Sequence, residues 1–95
     1  MRSYEVAFIL QPDLDESSIR TLVEKAKGWV TASGGQVAQV DLWGRRRLAY
    51  PIRKQREGQY VLMQTQMTPA ATREVERNLR LTEQVLRFQV IRLDE

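Results

Sequence analysis

Arg45, Arg46 and Arg47 stand in succession, and Arg53, Lys54 and Arg56 follow within a few residues before Glu57 closes the run. A guanidinium is a planar fork of N–H donors that matches the oxygens of a phosphate, so such a cluster suits a nucleic-acid backbone. Side chains alternate along an extended chain, so three consecutive arginines cannot all serve one flat face. They would form a cationic rim around a strand end. A solvated basic loop is the alternative that charge alone leaves open. A second set of reactive groups, Asp13, Asp15 and Glu16, could be read as a metal or acid–base cluster. A solvated helix start accounts for them, because carboxylates are favoured near a helix amino terminus.

Cysteine and histidine are both absent, which excludes disulfides, thiolate zinc sites and Cys/His or Ser/His nucleophilic machinery. No cofactor is expected. With 95 residues the chain is read as one domain, 1–95, whose modest core leaves little room for a catalytic cleft. The net charge of +3 permits an RNA partner without requiring one. No apolar run is long enough to cross a membrane and no charged-then-apolar leader opens the sequence, so a cytoplasmic location is expected.

The elements that must position the arginines follow from periodicity. Tyr4, Val6, Phe8 and Leu10 alternate within Arg2 to Leu10, which predicts a strand ended by Gln11-Pro12-Asp13. Asp15 or Ser17 can cap a helix carrying Ile19, Leu22, Val23, Ala26 and Val30 as far as Gly34-Gly35. Val37, Val40, Leu42, Leu48 and Tyr50 lie in a long second strand. The broken alternation between Val37 and Val40, or Gly44, marks a bulge or bend there. Pro51 to Glu57 reads as a basic, mobile connection to a third strand, Gln59 to Met67. Thr68-Pro69 starts a second helix with Ala71, Val75 and Leu79 at intervals of four, and Val85 to Leu93 closes the chain as a strand. The order β-α-β-β-α-β predicts an α+β, ferredoxin-like fold: a four-stranded antiparallel sheet with two helices on one face.

Two helices cover only one side of such a sheet. Val61, Met63, Thr65 and Met67 are assigned to the covered side, leaving Tyr60 and Leu62 on the open one, joined by Tyr50 and Ile9. An RNA-recognition-motif domain would stack bases on aromatics there. Glu57-Gly58-Gln59-Tyr60 matches that motif only loosely, and Leu62 replaces the second aromatic. A protein partner on the apolar face, with RNA held by the arginine rim, is the better reading. Trp43 either anchors an interface or packs the bend beside Gly44, the second being favoured.

The string Gly-x-Arg-Arg-Leu-Ala-Tyr-x-Ile-Arg from Gly44 to Arg53 resembles the signature of the bacterial ribosomal protein S-six family. Met1 to Val6, Leu10 to Leu14, Glu57 to Tyr60 and the closing Leu79-Arg80-Leu81 and Val85-Leu86-Arg87 follow in the family's order, so the likeness spans essentially the whole chain. The resemblance implies the same fold and a structural role in the small ribosomal subunit. It implies binding to the central domain of the small-subunit RNA as a heterodimer with the S-eighteen protein. Arg2 and Arg45 to Arg47 are then the first RNA-binding candidates, with Arg53, Lys54, Arg56, Arg87 and Arg92 beside them. Arg45 falls where the family varies, so its role is a charge argument. Tyr50, Tyr60, Leu62 and Leu48 are the candidates for the protein contact.

Rival functions fare worse. Acylphosphatases of this fold pair a loop arginine with a water-positioning asparagine, but the asparagine here, Asn78, falls within the expected second helix. A small-molecule regulatory domain of the same fold would need a pocket, and nothing in the sequence marks one. Enzymatic activity is not expected.

Overall fold

In a computed structural model, residues 1–93 are described. Strand β1 (Arg2–Leu10) buries Tyr4, Val6, Phe8 and Leu10 and leaves the odd positions half-covered, as a period of two requires. Helix α1 (Glu16–Ala32) begins at Asp15, whose carboxylate accepts from the Ser18 N–H at 2.8 Å. Hydrogen bonding from Ser18, first by its side chain and then by its backbone, holds the Asp15 carboxyl below the ordinary value of 3.8. Leu22, Val23, Ala26 and Val30 form the buried stripe of α1. Strands β2 (Gln36–Ile52) and β3 (Gln55–Met67) follow as a hairpin, then helix α2 (Pro69–Leu81) and strand β4 (Val85–Arg92). Thr68 caps α2 by accepting from Ala71 N–H, with Pro69 in the first turn.

The strands lie in the order β2-β3-β1-β4, every neighbouring pair antiparallel. This is the expected ferredoxin-like α+β arrangement. Val61, Met63, Thr65 and Met67 of β3 are buried with the even residues of β1 against α1 and α2. Thr65, the one polar residue there, donates its hydroxyl to the Tyr4 carbonyl at 3.2 Å, which removes the cost of burying it.

The connection expected over Pro51 to Glu57 is instead a tight turn. Both strands run on, so that Ile52 faces Gln55, and only Arg53 and Lys54 turn the chain, with φ of 48° and 66°. Two successive left-handed residues give the type I′ geometry that matches strand twist. The third strand accordingly opens at Gln55 rather than Gln59. Pro51 is tolerated because β2 is an edge strand. Its pairing shifts register between Val37 and Gln39, between Leu42 and Gly44, and between Arg47 and Ile52. Gly44, at φ 78°, holds the second of these bulges.

Gly58 is required for a different reason. A Cβ there would come within 2.3 Å of Ile9 Cγ2 and 3.2 Å of the Leu10 carbonyl. Gly58→Ala is expected to destabilise the protein by about 1–3 kcal/mol through overpacking. Gly28→Ala, with nothing within 4 Å in α1, should stabilise it by roughly 1 kcal/mol. Denaturant unfolding of the two variants checks both signs.

Candidate nucleic-acid interface

The three arginines divide as alternation requires. Residues facing one another across an antiparallel pair share a side of the sheet. Arg46 faces Gly58 and so lies on the side away from the helices, whereas Arg45 faces Gln59 and Arg47 faces Glu57 on the other. Arg45 donates from Nη2 to the Pro12 carbonyl at 2.6 Å, and its Nε lies 3.6 Å from Glu57 Oε1. It ties β2 to the turn after β1, helped by Gln59, which donates to the same carbonyl at 3.3 Å. The Arg46 guanidinium lies over the Trp43 ring, 5.6 Å from its centroid. Arg47, Lys54 and Arg56 are exposed, and their side chains make no hydrogen bond or ion pair among the described residues. Within this cluster they are the cations left to meet an anion.

Arg53 and Arg87 have structural work. Arg53 donates to the Glu83 carbonyl at 3.0 Å and also to the Val85 carbonyl. Arg87 lies over the Tyr50 ring at 5.5 Å from the centroid and donates to Tyr50 Oη. Since β2 and β4 are opposite edges of the sheet, these contacts bend the hairpin tip around the sheet's end to join its two edges. Arg2 and Arg92 lie at the far end, facing Met67 and Tyr4 respectively. β1 is 9 residues long, so roughly 25 Å of strand separates them from the main cluster. The structure therefore gathers Arg45 to Arg47, Arg53, Lys54, Arg56 and Arg87 at one end and leaves Arg2 and Arg92 apart.

On the open face Ile9, Tyr60 and Leu62 are half-buried and Tyr50 is 52% exposed. Leu48 departs from its expected role as a contact residue. It is only 8% exposed, its Cδ2 packed with Ile9 Cγ2 around Gly58. The bent hairpin lays it down as the floor of the patch, and it presents little surface of its own. Trp43 departs in the opposite sense. It is 52% exposed and does not pack the bend: it is the extra residue of the Leu42/Gly44 bulge.

The acidic residues of the α1 start are consumed locally, Asp15 as the cap and Glu16 in a 2.7 Å ion pair with Arg20. Among the described residues no group of three or more acidic side chains could hold a metal ion, and no helix is long and apolar enough to cross a membrane. The roles of Arg53 and Trp43 were missed because both depend on where the chain bends. The Gly44 signal pointed at the bulge, but not at the residue it displaces.

The profile of the family described as Ribosomal protein S6 matches residues 3–92. The chain is 46% identical to a "Small ribosomal subunit protein bS6" of Moorella thermoacetica, covering 100% of this chain and 97% of the relative. It is 48% identical to the protein of that name from Nocardia farcinica, over 100% of both. The crystal structure of 30S ribosomal protein S6 from Thermotoga maritima superposes with a TM-score of 0.92 at 31% identity, covering 97% of this chain and 87% of that one.

Arg53→Ala should remove one of the two edge-to-edge ties and leave the Arg87–Tyr50 contact. The expected loss is about 1–2 kcal/mol, since hydrogen bonds from a charged donor exceed neutral ones. Amide exchange of residues 48–56 should accelerate while that of β1 stays slow.

Proposed function

The chain belongs to the Ribosomal protein S6 family, whose members are structural, non-enzymatic components of the small ribosomal subunit, and from that premise we propose that it acts as one domain binding the central domain of the small-subunit RNA together with the S-eighteen protein. It works in the cytoplasm as part of the ribosome. The observation that carries the RNA part is the placement of Arg47, Lys54 and Arg56 at one end of the sheet, exposed and with side chains that make no hydrogen bond or ion pair among the described residues. Unpaired guanidinium and ammonium groups lose no existing partner when they engage phosphates. Arg46 adds a fourth charge beside them. Arg45 contributes field more than contact, because Pro12 and Glu57 already hold it.

The protein part rests on the open face. Tyr60 and Leu62 remain half-buried with no helix above them, and Tyr50 stands beside them under Arg87. An aromatic and aliphatic patch with a polar margin suits a protein partner. Base stacking in the manner of an RNA-recognition motif would want a second aromatic where Leu62 stands. Phosphate contacts position a protein without reading sequence, so specificity comes from the RNA's shape and from the bound partner. Arg2 and Arg92 extend the footprint to the far end of the sheet. Arg87 takes part through Tyr50, and Arg53 by fixing the hairpin.

The test is binding to a central-domain RNA fragment, with and without the S-eighteen protein, across a salt series. Tight, salt-sensitive binding that needs the partner is expected; no binding under either condition would sink the reading. Arg46→Ala with Arg47→Ala should leave unfolding nearly unchanged. It should weaken incorporation into small-subunit particles and flatten the log–log salt dependence by about 0.7–0.9 per lost contact. Leu62→Asp should abolish heterodimer formation while circular dichroism stays native. Normal heterodimer assembly by that variant would refute the assignment of the open face.

A further inference from the structure

Trp43 is a large aromatic residue that the fold holds out of the core. The bulge between Leu42 and Gly44 inserts it into β2 as a residue with no ladder partner, and Gly44 at φ 78° fixes that geometry. Arg46 lies over the ring at 5.6 Å, yet 52% of the residue's surface remains open. Tryptophan and arginine are also enriched in protein–protein contacts, so what favours a nucleic acid here is the concentration of positive charge beside the ring, with Arg45, Arg46 and Arg47 next but one along the chain. Single-stranded nucleic acid is held where aromatic side chains stand beside a positively charged track, the aromatic stacking a base and the cations holding its phosphates. Charges for the second part stand at the same edge: Arg56, two residues before Gly58 on β3, and Arg47, on the other side of β2, both have side chains without a partner among the described residues.

The geometry points to Trp43 as a stacking platform for one unpaired base of the bound RNA, with Arg46 extending the platform as a planar cation on the same ring. This rests on the RNA-binding reading above and adds to it a contact with a base rather than with the phosphate backbone. Any base offers a π-face, so the contact tolerates sequence but requires a nucleotide that is out of its helix. The bulge supplies what a regular strand could not: a side chain displaced from the ladder, next to a glycine in the left-handed region.

The chain has two tryptophans, and the other, Trp29, packs against the core from α1. Trp29→Phe therefore leaves Trp43 as the sole reporter. Titrating this variant at low salt with a short single-stranded oligoadenylate should quench its fluorescence, whereas inorganic polyphosphate of matched charge should bind without quenching. In the chain that retains Trp29, Trp43→Ala should weaken binding of labelled oligoadenylate by roughly 5- to 100-fold, and Trp43→Phe should restore most of the loss. Equal affinity of the alanine variant, absence of quenching, or equal quenching by polyphosphate would each overturn the inference. So would a change in Trp43 emission produced by the S-eighteen protein and not by RNA, which would make it a protein contact. Arg47→Ala with Arg56→Ala separates the two levels. If it abolishes binding while Trp43→Ala does not, stacking alone fails; if neither matters, the arginine reading fails with it.

Discussion

Two helices over a four-stranded sheet leave one face of that sheet without cover, and the role of nearly every side chain follows from which side it takes. On β1 and β3 the parity is unbroken, so the even residues of one and the odd residues of the other close the core with α1 and α2. The remaining positions, Ile9, Tyr60 and Leu62, have no choice but the open side. Burial of the first set supplies the stability, at about 25 cal/mol per Å² of apolar surface removed from water. The second set cannot be buried by this chain alone.

Edge strand β2 escapes that rule because its register shifts three times. Each bulge resets parity, and in the regular stretch between the second and third shifts simple alternation and different neighbours give three like residues three functions. Arg45 becomes a strut to Pro12, Arg46 a lid on Trp43, and Arg47 a free charge. The signature run is therefore not a uniform cationic patch. Its members are distinguished by geometry that identical side chains cannot disclose.

Legibility in the sequence tracked the range of the forces involved. The strands, both helix starts and the covered side of β3 were visible, because period and capping act over a few residues. The turn at Arg53-Lys54 was not. Left-handed backbone costs about 1–2 kcal/mol at each non-glycine residue, and no Asn-Gly pair advertises it. The compensation comes from carbonyls 30 and 32 residues away, beyond any local pattern. Leu48 was misjudged for the same reason, since its burial depends on how that hairpin bends. The arginine cluster was legible as charge, but the division of labour within it was not.

The same bulges bear on how the chain behaves in company with copies of itself. At 17 residues β2 is an unusually long edge, and a flat edge of that length would offer a row of open N–H and C=O groups as a template for another strand. The register breaks, Pro51 and the row of like charges interrupt that template at intervals shorter than a typical strand. A neighbouring copy could pair only a few residues before meeting a bulge, a missing donor or a repelling guanidinium. The irregularities of this edge thus also work against strand pairing between copies of the chain.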